Sequence, residues 1–375
     1  MISEDFFQRI TTQFNTQLPF VIYRKPNDEK ISGRLQNNDN LYFTENFTEK
    51  GFVFSPFDEF EKTILIPVEN SQSISTQNTF FKEKLNQNKT FKKTAIFSEE
   101  EQQNHINLIK KGVKAISSNS LEKVVLSRQE RIAVGDENPI RLFKNLLSTY
   151  TSAFVYCWYH PKIGIWLGAT PETLIKIEGS KFSIMALAGT QNYKNTLDVV
   201  WQDKEKKEQQ FVTDYVIENL NPLVENYQVS ATETVKAGNL LHLKTMISAQ
   251  LKPKMPLKQL LSVLHPTPAV CGVPKKESKQ FILKNENYKR EFYTGFLGEL
   301  NFEKTISPRS GRRNIENRAY SITKKNTQLY VNLRCMQLKD KQAIIYVGGG
   351  VTLNSNPEKE WEETVSKSLI IKSIL

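Results

Sequence analysis

Cysteines and long apolar runs are scarce in this sequence. The 375 residues include three cysteines, Cys157, Cys271 and Cys335, which lie far apart. Without a CxxC pair or a Cys/His cluster, their spacing argues against structural zinc and against a disulfide framework. No run of about eighteen apolar residues occurs, so we expect no membrane span. The first residues carry acids and lack an apolar segment, which argues against a signal peptide and favours the cytoplasm.

Basic residues exceed acidic ones, and the formal net charge is +11. A basic balance is typical of nucleic-acid binders, but here Lys and Arg are spread along the chain. Aromatic residues do not interleave with the densest cluster, at 309–313 with Lys324 and Lys325, as they do in single-strand binders. A protein that binds anionic small molecules would also be basic, and we expect no nucleic-acid partner.

The stretch 346–367 is predicted as a strand, a turn with three glycines and a helix capped by Asn356. At about 100° per residue, Glu360, Glu363 and Lys367 fall on one face of that helix. An acidic face behind glycines is suited to holding a cation. Taken alone, however, the stretch favours an ordinary surface helix with solvated charges.

A second acidic pair, Glu205 and Glu208, lies in a predicted helix over 204–220. Glu208 shares a face with Phe211 and Val212, and a carboxylate on an apolar face is costly unless it meets a cation or donors. Two helices with matched Glu-x-x-Glu pairs suit a hard cation with oxygen ligands, magnesium above all.

Five further positions are candidates for chemistry. Lys123 opens an apolar strand; it is either a solvated end, which the local sequence favours, or a base in a dry pocket. Pro171 would hold Glu172 in a defined direction, and two prolines would pin Thr267. His242 alone favours a core histidine. Arg334, predicted inside an apolar strand over 329–338, needs an anion such as a carboxylate.

The remaining patterns predict the elements that frame these positions. They are a helix from the capping box at Ser98 to about 117, antiparallel hairpins over 151–190 interrupted at 168–172, a loop or a mobile connection over 69–92, a helix over 275–290 and a strand over 292–298.

Together, these motifs resemble the chorismate-utilising enzymes, a family that includes anthranilate synthase component I, and most of all its isochorismate synthases. Any one motif is weak, whereas all of them in order are a strong signal. They are Lys-Val-Val-Leu-Ser-Arg (123–128), Gly-Ala-Thr-Pro-Glu (168–172), Ala-Leu-Ala-Gly-Thr (186–190), Lys-Glu-Gln-Gln-Phe-Val-Thr-Asp-Tyr (207–215), His-Leu-Lys-Thr (242–245), Leu-His-Pro-Thr-Pro-Ala-Val (264–270), Arg-Glu-Phe-Tyr-Thr-Gly (290–295), Leu-Arg-Cys (333–335) and the stretch 346–367.

The resemblance implies an α+β fold, with two large antiparallel β-sheets packed face to face and helices on the outside. It implies a single catalytic domain over 1–375, in which 1–95 match loosely and 96–375 carry the motifs. It also implies a Mg²⁺ site made by Glu208 and Glu363, supported by Glu205, Glu360 and Lys367. Arg334 and Tyr293 would hold the enolpyruvyl carboxylate of chorismate. The rest of the pocket would comprise Gly189, Thr190, His242, Thr267, Gly348 and Gly350.

By the same resemblance, water adds at C2 of chorismate with Lys123 as base, and the C4 hydroxyl leaves with Glu172 as acid. Anthranilate synthases typically have glutamine at the base position, and aminodeoxychorismate synthases have lysine where this chain has Ala188. Both differences favour water as the nucleophile. A salicylate synthase and a catalytically silent binding protein stay as alternatives, and the product would feed menaquinone or siderophore synthesis.

Three departures from the family pattern stand out. The segment before Glu205 is shorter than usual, Gln209 replaces a frequent histidine, and residues 303–327 are longer than the usual hairpin. The inserted residues carry the basic cluster, as a loop, a lid or a partner surface. We expect a monomer that acts without a glutamine amidotransferase subunit.

Overall fold

The computed structural model describes residues 1–78, 98–237, 240–306 and 322–375. In these ranges no helix combines the length and apolar character needed to cross a bilayer. The helices are α1 (Ser3–Asn15), α2 (Glu99–Ser117), α3 (Pro139–Thr149), α4 (Asp203–Leu220), α5 (Leu257–Leu264), α6 (Lys275–Asn285) and α7 (Pro357–Lys372).

The strands form two sheets, and runs of consecutive strands belong to the same sheet. They are β1 (Phe20–Arg24), β2 (Lys30–Gln36), β3 (Tyr42–Thr44), β4 (Gly51–Ser55), β5 (Thr63–Pro67), β6 (Ser71–Gln77), β7 (Lys123–Ala133), β8 (Phe154–His160), β9 (Gly164–Thr170), β10 (Thr173–Glu178), β11 (Lys181–Asn192), β12 (Val224–Val229), β13 (Glu233–Ala237), β14 (Leu240–Leu251), β15 (Gly272–Val273), β16 (Phe296–Ile306), β17 (Ile322–Val331), β18 (Cys335–Lys339) and β19 (Gln342–Val351).

The first sheet has the order β15-β7-β19-β18-β9-β8-β1-β2-β6, and the second has β12-β14-β11-β10-β17-β16-β4-β5-β3 with β13 on β14. The pairings along both sheets are antiparallel. An aromatic layer joins the sheets: Phe154 of the first stacks on Tyr330 of the second with ring centroids 4.0 Å apart. Such pairs add about 0.5–1.5 kcal/mol beyond the burial of their area.

Helices cover the outer faces of both sheets. Phe6 and Ile10 of α1 and Leu146 of α3 pack on the first sheet, while Val216 and Leu220 of α4 pack on the second. The α+β fold with two large antiparallel sheets and outer helices, predicted from the sequence, is thereby confirmed.

Several predicted boundaries are wrong. Residues 71–77 form the edge strand β6 because Ile74 is buried; much of the predicted loop, residues 79–92, lies outside the described residues. Helix α6 ends at Asn285, and residues 292–295 form a turn instead of a strand. The chain reverses there because Glu291 and Thr294 adopt left-handed backbone conformations, with φ of 48° and 60°.

Two crossings between the sheets organise the site. The chain passes from β9 to β10 at Pro171 and Glu172, and from β17 to β18 around Arg334. Arg334 is therefore not inside a strand, as predicted, but in a connection where its φ is 48°. The backbone N–H of Val331 donates to the carbonyl of Glu172 at 3.1 Å, so the crossings lie side by side.

The long insertion joins β16 and β17, which pair as far as Ile306 and Ile322. Residues 307–321, which carry most of the basic cluster, lie outside the described residues. The role of this insertion and the single-domain organisation stay predictions.

Candidate active site

The two crossings and the ends of β7, β11 and β19 surround one cavity of about 110 Å³. Most of the sequence-predicted site residues line it. They are Glu172, Gly189, Thr190, Glu208, His242, Tyr293, Arg334, Gly348, Gly350 and Lys367. The other predicted residues, Lys123, Thr267, Glu205, Glu360 and Glu363, are not in this lining and are placed individually below.

Lys123, at the start of β7, is buried instead of solvated. Its side chain has no exposed surface, and its Nζ lies 3.0 Å from Oε1 of Glu208. Burial acts to raise the pKa of Glu208, but nearby lysines, Lys123 first, outweigh burial and lower it. Glu208 is therefore an ionised carboxylate at the cavity wall, with the amine directly behind it.

The acidic face of α7 is also not solvated. Glu360 is 3 % exposed and accepts from Lys204 of α4 at 2.6 Å, while Glu363 pairs with Lys367 at 2.7 Å. Burial and the charge of Glu363 raise the pKa of Glu360 despite Lys204. Three glutamates from two helices are thus each held by a lysine.

The side chain of Glu205 does not line the cavity. Its Oε2 accepts from the backbone N–H of Gln202 at 3.1 Å, at the start of α4. A carboxylate at this position stabilises a helix N-terminus. Its contact with the site is through its backbone and Cβ, because a methyl group on Gly189 would lie 3.1 Å from the Cβ of Glu205.

The described residues hold no group of three His, Cys, Asp or Glu side chains arranged as a metal site. A cation would have to displace lysines here, because Glu208, Glu360 and Glu363 are each paired with one. The donors nevertheless suit magnesium. Among the described residues, Oε2 of Glu360 is buried with no hydrogen-bond partner. A methyl group on Gly349 would lie 3.5 Å from Glu363 Oε1 and 3.6 Å from Glu360 Oε2, and one on Gly350 would lie 2.6 Å from Glu208 Oε1. Because Gly349 and Gly350 have no side chains, the carboxylate oxygens of Glu208, Glu360 and Glu363 have room beside the backbone.

Glu172 is a buried acid at the first crossing. Burial raises its pKa to about 8, although Lys123 and Arg334 act to lower it. At neutral pH this carboxyl is therefore mainly protonated and able to donate a proton.

His242 on β14 fixes the guanidinium of Arg334. Its Nδ1 lies 2.9 Å from the carbonyl of Gly189 and must carry the hydrogen, so Nε2 accepts from Arg334 at 2.8 Å. Burial and the charge of Arg334 lower the pKa of His242 to about 3. The neutral ring orients Arg334 for a carboxylate.

Tyr293 completes this side of the cavity. Its ring stacks on Tyr346 with centroids 5.4 Å apart, and burial raises the pKa of its phenol, which stays a neutral donor. Thr267 is not brought to the wall, which is formed by the neighbouring Ala269 and Val270 instead. The hydroxyl of Thr267 is buried without a partner among the described residues.

Two residues that contribute to the site were not predicted from the sequence. Lys204 lies four residues before Glu208 and therefore shares its helix face. This spacing could have identified Lys204 from the sequence. Arg290 is paired with Glu286 at 2.6 Å with both side chains buried. Its guanidinium also donates to the carbonyls of Val125 and Val270, so it holds two walls of the cavity together.

Comparison with known proteins agrees with this architecture. A family model described as "Chorismate binding enzyme" matches residues 52–312, and a second, "chorismate binding enzyme", matches residues 320–373. The first alone spans more than half of the chain. The protein belongs to the chorismate binding enzyme family.

Individual relatives are similar at lower identity. Isochorismate synthase MenF of Pasteurella multocida is 28% identical over 284 residues, which are 71% of this chain and 60% of that protein. Isochorismate synthase DhbC of Bacillus subtilis is 25% identical over 287 residues, 71% of this chain and 66% of that protein. The matches thus span about two thirds or less of these relatives.

A solved structure has the same fold. The menaquinone-specific isochorismate synthase MenF of Escherichia coli superposes with a TM-score of 0.74 over 95% of this chain and 88% of that chain, at 19% identity.

Proposed function

We propose that this protein is an isochorismate synthase, an isomerase that converts chorismate to isochorismate with magnesium. The observation that carries the proposal is that a buried acid, Glu172, and the guanidinium of Arg334, which is held by His242, line the same cavity. The relatives named isochorismate synthase support the same reaction class.

Each group has a role in this proposal. Arg334, oriented by His242, and the phenol of Tyr293 bind the enolpyruvyl carboxylate. Glu208 and Glu363 would hold magnesium, which when bound would neutralise the ring carboxylate and orient the ring. Glycines 189, 348 and 350 let the backbone approach the substrate closely.

The reaction exchanges one hydroxyl for another. Lys123 acts as the base and removes a proton from a water molecule as the water oxygen bonds to C2 of the ring. The double bonds migrate, the C4–O bond breaks, and Glu172 protonates the departing hydroxyl to give water. One water enters and one leaves, so substrate and product are isomers.

The test resolves the products formed from chorismate with and without magnesium. We expect isochorismate without pyruvate; stoichiometric salicylate and pyruvate would identify a salicylate-forming lyase instead, and no turnover would contradict the proposal. Lys123→Ala should abolish isochorismate formation while chorismate still binds. Lys341→Ala, at an exposed ion pair with Asp136, is the matched control and should keep wild-type turnover.

Cellular context follows from the same proposal. The product would supply menaquinone or siderophore synthesis, and the enzyme would act in the cytoplasm as a monomer without an amidotransferase subunit. Mass measurement in solution and growth of a deletion strain with each end product would separate these possibilities.

A further inference from the structure

A second cavity of about 570 Å³ adjoins the active-site cavity. It lies between the loop at residues 149–153, Lys236 of β13 and the face of α7 around Ser366. Pro171 and Arg334 line both cavities. The two spaces therefore share one wall, which is formed at the crossings between the sheets.

This second cavity is cationic. Among the described residues that line it, the charged side chains are those of Lys236 and Arg334, and none is a carboxylate. On the α4 and α7 side of the active-site cavity, by contrast, Glu208, Glu360 and Glu363 are each paired with a lysine. A dianion that approaches from the second cavity meets net positive charge, whereas one that approaches past the helices meets lysines whose charge is balanced by carboxylates.

Hydrogen bonds hold the walls of the second cavity in place. The buried Arg24 donates to the carbonyls of Tyr150 and Ala153, at 3.0 Å for the latter, and the phenol of Tyr150 donates to the carbonyl of Ile370 on α7. These bonds hold the loop from two sides. Lys236 is exposed at the opposite side, with its Nζ 3.7 Å from the ring centroid of Tyr193.

We propose that this cavity is the vestibule through which a cyclic dicarboxylate enters the active site. Lys236 attracts the dianion, and Arg334, already oriented by His242, receives one of its carboxylates at the shared wall. The substrate class rests on the function proposed above, whereas the charge and the position of the vestibule do not.

The charge is tested by thiol labelling. The native cysteines are buried, so Ser152→Cys places an accessible thiol in the vestibule; Ser120→Cys, on the exposed connection before β7, is the control. At each position, the rate of labelling by an anionic methanethiosulfonate is divided by the rate with a cationic one. In low salt, we expect this ratio to be about fivefold higher at position 152 than at position 120. Adding Lys236→Met should lower the ratio at 152 at least about twofold. Equal ratios at the two positions, or no effect of Lys236→Met, would overturn the proposal.

Entry is tested by blocking. A bulky neutral maleimide on the thiol of the Ser152→Cys protein should lower kcat/KM for chorismate about tenfold. It should also slow chorismate association by stopped-flow fluorescence, while the same label on the Ser120→Cys protein changes neither quantity. Unchanged association in the labelled Ser152→Cys protein overturns the vestibule, even with full isochorismate synthesis. Slowed association without any turnover would instead support the vestibule and contradict the proposed function.

Discussion

Replacing Glu172 by glutamine should abolish turnover and at the same time stabilise the protein. The folded protein holds the pKa of Glu172 at about 8, mainly through burial, against an ordinary value of 4.5. Between these two pH values the folded state binds a proton that the unfolded chain has released. Stability therefore falls as pH rises through this window and levels off above about pH 8.

The magnitude follows from the two pKa values. At about 1.4 kcal/mol per pH unit, the ionisable carboxyl lowers the free energy of unfolding by about 3 kcal/mol at pH 7. Glutamine has nearly the same shape and does not titrate, so the variant avoids this loss. With an unfolding entropy of about 2.1 cal/mol/K per residue, 3 kcal/mol corresponds to about 4 °C in Tm for a chain of this length.

The assay is thermal unfolding of wild type and Glu172→Gln from pH 5 to pH 9. The variant should melt close to wild type at pH 5 and progressively higher toward pH 8, and should form no isochorismate. Glu178→Gln, at a partly exposed acid of β10, is the control and should follow wild type throughout. A variant that is no more stable at pH 8 than at pH 5, relative to wild type, would refute the burial argument.

The remaining predictions concern the carboxylates. Gly350→Ala should lower kcat/KM about 100-fold, because its methyl would lie 2.6 Å from Glu208 Oε1 and displace a group in direct contact with the base. Gly349→Ala should lower kcat/KM by about tenfold at most, because its methyl would make ordinary contacts of 3.5 Å and longer. Equal losses of kcat/KM in the two variants would contradict the steric reasoning. Lys204→Met should lower the magnesium concentration at half-maximal activity, because Lys204 competes for Glu360 at 2.6 Å. A higher or unchanged magnesium requirement in the Lys204→Met variant would count against this competition.

Local signals predicted the elements that carry the site. Ser98 accepts from the backbone N–H of Glu101, and Asn356 from that of Lys359. Caps and helical spacing are properties of a few neighbouring residues, so they are legible in the sequence. The motifs that resemble the family were likewise sufficient for the fold and for most of the cavity lining.

Features that depend on distant parts of the chain were not predictable in this way. Nothing near Arg334 marks the place where an apolar segment leaves one sheet for the other, and only the structure shows its left-handed backbone. The local sequence favours solvated charges at Lys123 and Glu360, yet both side chains are buried because Glu208 and Lys204 of α4 compensate their charges. A buried charge is identified by its partner, and these partners are far away in sequence.

The most direct test of the central claim is the conversion of chorismate in water enriched with ¹⁸O. If Lys123 activates water for addition at C2, the isochorismate formed must carry one ¹⁸O atom at C2, as mass spectrometry of the isolated product would show. We expect full incorporation in wild type and no product from Lys123→Ala. Unlabelled isochorismate would mean that the original hydroxyl migrates within the substrate, and would contradict the roles given to Lys123 and Glu172.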